Sequence, residues 1–251
     1  MRLCRLFVVC LLLSIQPIVH GETPASLYQR GVEAFRQENW ELAISSWQEI
    51  ERQGNVSGEL YYNLGNAYYR MGAVGRSIAY YERARKLLPR DSDIRQNLEL
   101  ARMATVDRVE RPVRLMVWDW VDKVRDGLSL SEIARIVISL SLLTAASLAW
   151  WRFSPLHTRR VARMLTIVFA GLLVVSGAWL SWRSVLDSRQ HAVVVEAKVD
   201  VFSAPDTSAK QVFTLHEGTT VRERQEVSGW IQIVLTDGRS GWLRAETLES
   251  I

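Results

Sequence analysis

Catalytic chemistry usually rests on histidine, cysteine and paired carboxylates, and in this chain they are scattered. The four histidines are His20, His157, His191 and His216, and no two stand at a metal-ligand spacing. Cys4 and Cys10 both lie in an apolar N-terminal stretch, which leaves no cysteine elsewhere for thiolate or redox chemistry. There is no glycine-rich phosphate loop and no Gly-x-Ser-x-Gly elbow. Glu82, Asp91, Asp93 and Glu99 read as charges on solvated helix surfaces. The expectation is a protein without catalytic site, metal or cofactor. What the chain has in quantity is the chemistry of recognition. Ten tryptophans and seven tyrosines offer flat apolar rings with a polar handle.

Many of those rings fall on two segments that repeat. At an offset of 34 residues Gly31 pairs with Gly65, Trp47 with Tyr81, Ala43 with Ser77 and Leu27 with Tyr61. The second copy runs Tyr61-Tyr62-Asn63-Leu64-Gly65-Asn66-Ala67-Tyr68-Tyr69, then Gly72, Ile78, Tyr81, Ala84 and Pro89. It closely resembles a tetratricopeptide (TPR) repeat, and residues 26–50 resemble one more loosely. Gly65 lets two helices approach, Gly72 ends the first helix and Pro89 stops the second. In the first copy Glu38 replaces the turn glycine and Asn55 the closing proline. Residues 91–103 keep Ile94, Leu98 and Ala101 on one face and read as a capping helix. The tetratricopeptide layout implies that Tyr28, Val32 and Phe35, and then Tyr62, Asn66 and Tyr69, face a concave groove suited to a partner helix or extended peptide. The other reading of the same rings is core packing. The Lys/Arg/Asn set that holds a terminal carboxylate in some such proteins is missing apart from Asn66, which disfavours that ligand class.

Charge is segregated along the chain. Residues 22–104 balance, whereas residues 105–189 carry 12 Lys+Arg against 7 Asp+Glu. That excess borders two apolar runs without a charge, residues 136–151 and 164–182. Arginine beside apolar runs points to membrane topology and away from nucleic acid. Trp150, Trp151, Trp179 and Trp182 stand at run ends, where such rings favour the interface. Ser129 and Glu132 form a capping-box pattern ahead of the first run. The expected spans are 133–152 and 164–183. Between the runs stand Arg152, Arg159, Arg160 and Arg163 with no acid, and the positive-inside rule makes the loop, 153–163, cytoplasmic. A buried helical hairpin is the competing reading. Arg2 and Arg5 followed by the apolar residues 6–13 and a small-residue site at 19–21 predict a signal peptide over 1–21. Both soluble ends then face away from the cytoplasm.

Between repeat and membrane, in the 105–132 linker, Leu115, Trp118, Val121 and Val124 recur at helical spacing. An amphipathic helix in the headgroup layer and one packed on the repeat fit equally. After residue 190 the composition turns β-rich. Strand candidates at 192–195, 199–203, 211–215, 219–226, 230–235 and 241–244 alternate with turn signals, with Asp237-Gly238 as the strongest. The Gly229-Trp230 and Gly241-Trp242 pairs, with Val201-Phe202-Ser203-Ala204-Pro205, resemble a bacterial SH3-like domain over 190–251. Trp230 and Trp242 either line a peptide groove or cover the ends of a small barrel.

The fold class is therefore multidomain: all-α tetratricopeptide repeats over 22–104, two transmembrane helices and a small all-β SH3-like barrel. That order, with Asp93-Ile94-Arg95-Gln96-Asn97-Leu98-Glu99-Leu100-Ala101, resembles the BatE-type proteins of bacterial aerotolerance (Bat) operons. The resemblance implies a non-enzymatic scaffold in the inner membrane, with TPR and SH3-like domains in the periplasm. It also implies von Willebrand factor A-domain membrane proteins as partners and a MoxR-type ATPase nearby. The alternative is a cell-wall protein whose barrel holds peptidoglycan peptide. Channel function is disfavoured, because the span centres hold no ionisable side chain.

Overall fold

The computed structural model describes residues 22–107, 127–187 and 190–251. The expected signal peptide and the amphipathic stretch at 111–125 lie outside the described residues. The chain divides into two compact units, Met1–Asn55 and Val56–Ile251.

In the first unit, α1 (Pro24–Arg36) and α2 (Trp40–Arg52) form a helical hairpin. Thr23 Oγ1 accepts the Ser26 N–H at 3.2 Å and Asn39 Oδ1 accepts the Leu42 N–H at 3.1 Å, so each helix starts on a side-chain cap. Gly31 is where the helices touch: a Cβ there would lie 2.3 Å from Trp47 Nε1. In the second unit α3 (Gly58–Arg70) and α4 (Val74–Leu87) repeat this design. Ser57 caps α3, and a Cβ on Gly65 would lie 2.5 Å from Tyr81 Cδ1. The two glycine–ring pairs stand at equivalent places in the repeat, which explains why no larger residue serves at 31 or 65. α5 (Ser92–Met103) is capped by Asp91 and buries Ile94, Leu98 and Ala101.

One expectation about the repeats needs correcting. Glu82 is not on a solvated surface. It is 5% exposed, pairs with Arg85 at 2.8 Å and accepts a bond from Arg102 of α5. Docking of α5 on α4 is what removes it from water. Two cations then offset the cost of burying the carboxylate.

α6 (Leu130–Phe153) and α7 (Arg159–Asp187) are an antiparallel pair joined by residues 154–158. Ser129 and Glu132 make a reciprocal capping box at the start of α6. Both helices are long and apolar enough to cross a bilayer, and in their most apolar windows only 11% and 0% of the residues are buried. Ser141, Thr144, Thr166 and Ser181 bond the carbonyl four residues back, so their hydroxyls are satisfied without water. The helical connection is shorter than the 153–163 loop read from composition. Pro155 sets its turn, and Arg159, Arg160 and Arg163 already lie in α7. Cations at a helix N-terminus oppose its dipole, so helix stability does not explain why they are there.

The C-terminal domain is a seven-stranded antiparallel SH3-like sheet. Its strands are β1 (His191–Val194), β2 (Lys198–Phe202), β3 (Gln211–His216), β4 (Thr220–Val227), β5 (Trp230–Val234), β6 (Ser240–Arg244) and β7 (Leu248–Ser250). They run in the order β3-β2-β6-β5-β4-β1-β7. Ala192, Val194, Val201, Leu215, Ile233 and Leu243 fill its core. Val227 pairs with Trp230 across Ser228 and Gly229, whose φ angles of 50° and 76° make the tight hairpin turn that suits strand twist. β7 was not among the strands read from the sequence, because three residues carry no alternation. β1 is unusual in being buried on both faces. Ala192 and Val194 enter the sheet core, while Val193 joins Ile78, Ala79, Tyr81, Leu98 and Ala101 of α4 and α5.

Glu38 and Gly72 occupy the equivalent helix-to-helix turn of the two copies, and both are left-handed, at φ 57° and 83°. A non-glycine residue there is strained by about 1–2 kcal/mol, of which glycine's extra freedom in the unfolded chain returns about 0.5–1 kcal/mol. Glu38→Gly should therefore stabilise the first repeat by up to about 1 kcal/mol. Thermal unfolding of the full chain checks this, and an unchanged or lower midpoint would refute the strain.

Candidate functional site

Of the residues expected to line a groove, Tyr62, Asn66 and Tyr69 all lie on α3, and Tyr62 and Asn66 are joined by Asn97 and by Tyr81, which the sequence offers only as a repeat position. Asn97 of α5 donates from Nδ2 to Tyr62 Oη and to Asn66 Oδ1, each at 3.0 Å. Tyr81 Oη donates to the same Asn66 oxygen at 2.7 Å. Those two bonds fill the acceptor capacity of the Asn66 carboxamide oxygen and orient its NH2 group. Burial pushes the Tyr81 phenol above its ordinary pKa, so it remains a neutral donor at physiological pH. The Tyr62 ring packs against Tyr81 with centroids 6.0 Å apart, while Tyr69 is 39% exposed. The result is a partly exposed aromatic face with an amide donor fixed in position.

The first copy differs. Tyr28 lies 6.4 Å from the Trp47 ring, and Phe35 lies 4.9 Å from Trp40 and 6.0 Å from Trp47. Both are half-buried, and the position equivalent to Asn66 is Val32. This face is an aromatic stack without the polar cluster.

In the barrel, Trp230 and Trp242 are 5% and 8% exposed. Phe202 meets Trp230 edge-on at 5.7 Å and pairs in register with Trp242. The Arg244 guanidinium covers Trp230 at 4.5 Å. Gly241 is required beside Trp242, since a Cβ there would lie 2.5 Å from Val201 Cγ1. Both rings are thus engaged by the fold, with Arg244 as the exposed part of the cluster.

Comparison with known families matches both halves of this picture. Residues 58–91 match the tetratricopeptide repeat. Residues 197–249 match the bacterial SH3 domain. No curated protein matches the chain. These domain types fit a role in protein interaction or cell-wall binding.

A second polar cluster joins the segment after α5 to the barrel. Asp107 Oδ2 accepts the His216 N–H at 2.7 Å and the Thr219 hydroxyl at 2.8 Å, and its Oδ1 lies 2.9 Å from His216 Nδ1. Burial raises the Asp107 carboxyl, but the His216 and Thr219 bonds outweigh it and leave the pKa below its ordinary value. A depressed acid stabilises the fold above its unfolded pKa of about 3.9 and loses that contribution as pH falls through the native value. Asp107→Asn should lower the unfolding midpoint at neutral pH, and the gap from wild type should close as pH drops below about 4. A gap independent of pH would mean that the carboxylate charge contributes nothing.

Proposed function

We propose that the protein is a non-enzymatic membrane scaffold that holds a partner segment on the aromatic face of its second repeat. The observation that carries this reading is the Tyr62–Asn66–Asn97–Tyr81 network, which fixes an amide donor beside the exposed Tyr69 ring. An extended peptide presents main-chain acceptors and side chains at the right scale for such a face. In this reading Tyr28 and Phe35 supply an aromatic contact face on the first repeat. The BatE resemblance supports von Willebrand factor A-domain membrane proteins as the partners, in a Bat/MoxR-type stress-tolerance complex.

The proposed location is the bacterial inner membrane, with repeats and barrel in the periplasm and the signal peptide directing export. Direct contacts support placing both domains on one side. Asp107 precedes α6 and His216 follows α7, yet they are bonded. Between two such residues the chain must cross a bilayer an even number of times, and α6 and α7 supply two crossings. Arg152, Arg159, Arg160 and Arg163 at the far end agree with a cytoplasmic turn.

The bacterial SH3 match favours one alternative, a barrel that binds peptidoglycan peptide at the Trp230 and Trp242 end. The two readings separate in one experiment on the full chain in detergent. Tyr69→Ala should leave the chain folded with a modestly lowered unfolding midpoint, because the residue is already 39% exposed. It should weaken co-purification of a von Willebrand factor A-domain partner by about thirtyfold in affinity, the loss of roughly 2 kcal/mol typical of an aromatic anchor. Undiminished partner binding would reject the groove. Retention on purified cell wall that survives Tyr69→Ala would favour the alternative.

A further inference from the structure

One side of the second repeat already has an occupant. Val193 of β1 is fully buried among Ile78, Ala79, Tyr81, Leu98 and Ala101, with Ile251 packed beside it. Around this small apolar plug the contacts are polar and directional. Glu217 Oε1 accepts the Gly75 N–H at 2.7 Å. Arg83 pairs with Glu249 at 2.7 Å and donates from Nε to the Ser250 carbonyl at 3.0 Å. Lys86 Nζ donates to the Ile251 carbonyl at 2.9 Å. β7 is the last strand of the sheet, so its outer carbonyls would otherwise be an open edge. Two cations of α4 close that edge.

The fit is also steric. A Cβ on Gly75 would stand 2.4 Å from the Val194 carbonyl oxygen, and one on Gly218 would stand 2.3 Å from Thr105 Cγ2. Each is a place where the helical and β domains meet without room for a methyl group. The barrel meanwhile keeps a separate core of its own, made by the other face of β1 and the remaining strands. The Arg83–Glu249 pair is partly open to water, with side chains 18% and 29% exposed. A joint made by one buried valine with a polar rim, beside a barrel that keeps its own core, is a small inter-domain interface across which relative motion is the default.

We propose that the α4–α5 face is a docking surface for the edge of a β-sheet, that its resident occupant is this chain's own barrel, and that the barrel leaves it as a rigid body. Charge complementarity and main-chain carbonyl recognition select this occupant. The α4 cations meet a carboxylate and bare sheet-edge oxygens, which a second helix would not present.

The test uses full-length protein in detergent with Cys4→Ser and Cys10→Ser, so that the only thiol is the introduced one. Val193→Cys reports on the joint, and Val221→Cys, in the barrel core, reports on barrel unfolding. Maleimide labelling of Val193→Cys should be slow. Adding Gly75→Ala, a change that favours an isolated helix, should accelerate it by about tenfold or more while Val221→Cys stays protected. Adding Arg83→Glu should do the same. Fast labelling of Val193→Cys without a second change would show that the face is unoccupied. Protection that survives both changes would show that the barrel does not leave the face, and would overturn the proposal. Joint exposure of Val193→Cys and Val221→Cys would replace rigid release by unfolding. Protection that disappears on dilution would assign the barrel to a second copy of the chain.

Discussion

A β-strand whose two faces are both apolar has to be covered on both, and β1 imposes that requirement on the second unit. Ala192 and Val194 are satisfied by the barrel itself, but Val193 points away from it and is buried only because α4 and α5 lie there. Burying one valine contributes about 1.5–3 kcal/mol. The part-buried Arg83–Glu249 pair and the charge-assisted bonds of Lys86 and Glu217 act on a similar scale, about 1–3 kcal/mol each. Apolar burial and polar contacts therefore both hold the joint. The polar groups set its register, since Arg83, Lys86 and Glu217 each bond a main-chain atom in one arrangement.

That plug is linked to the proposed recognition face through shared residues. Tyr81 packs in the cluster with Val193, and its hydroxyl also holds Asn66. Leu98 and Ala101 are in the same cluster, the next residue and one turn along α5 from Asn97, which bonds Tyr62 and Asn66. The Gly65–Tyr81 contact fixes the ring from the other side. The barrel thus packs on the cluster that Tyr62 of the proposed face also touches, and both depend on where α5 sits.

How much of this could be read from the residues follows the reach of each signal. The repeat was legible because its determinants are local and periodic: Gly31 and Gly65 recur with Trp47 and Tyr81, and the turn at Glu38 is left-handed as its glycine counterpart is. The barrel strands were legible from turn residues and apolar runs. The docking joint was present as an unread clue. Residues 192–195 are continuously apolar where a half-exposed strand would alternate, the pattern of a strand covered on both faces. Asn97, Asp107 and Glu82 gave no such warning. Their roles come from partners 20 or more positions away in most bonds, and a polar residue with a distant partner looks like any solvated one.

The apolar helical pair and the docked domains are connected at defined side chains. The most apolar stretches of α6 and α7 are largely uncovered by the other described residues, and an apolar surface of that size marks a contact with a membrane or a partner. Arg90 meanwhile pairs with Glu132 at the start of α6, which ties the end of the second repeat to the first turn of the hairpin. Asp107 ties the chain entering the hairpin to the barrel that follows it. The repeat, the first turn of the hairpin and the barrel are thus linked through side chains that lie far apart in the chain.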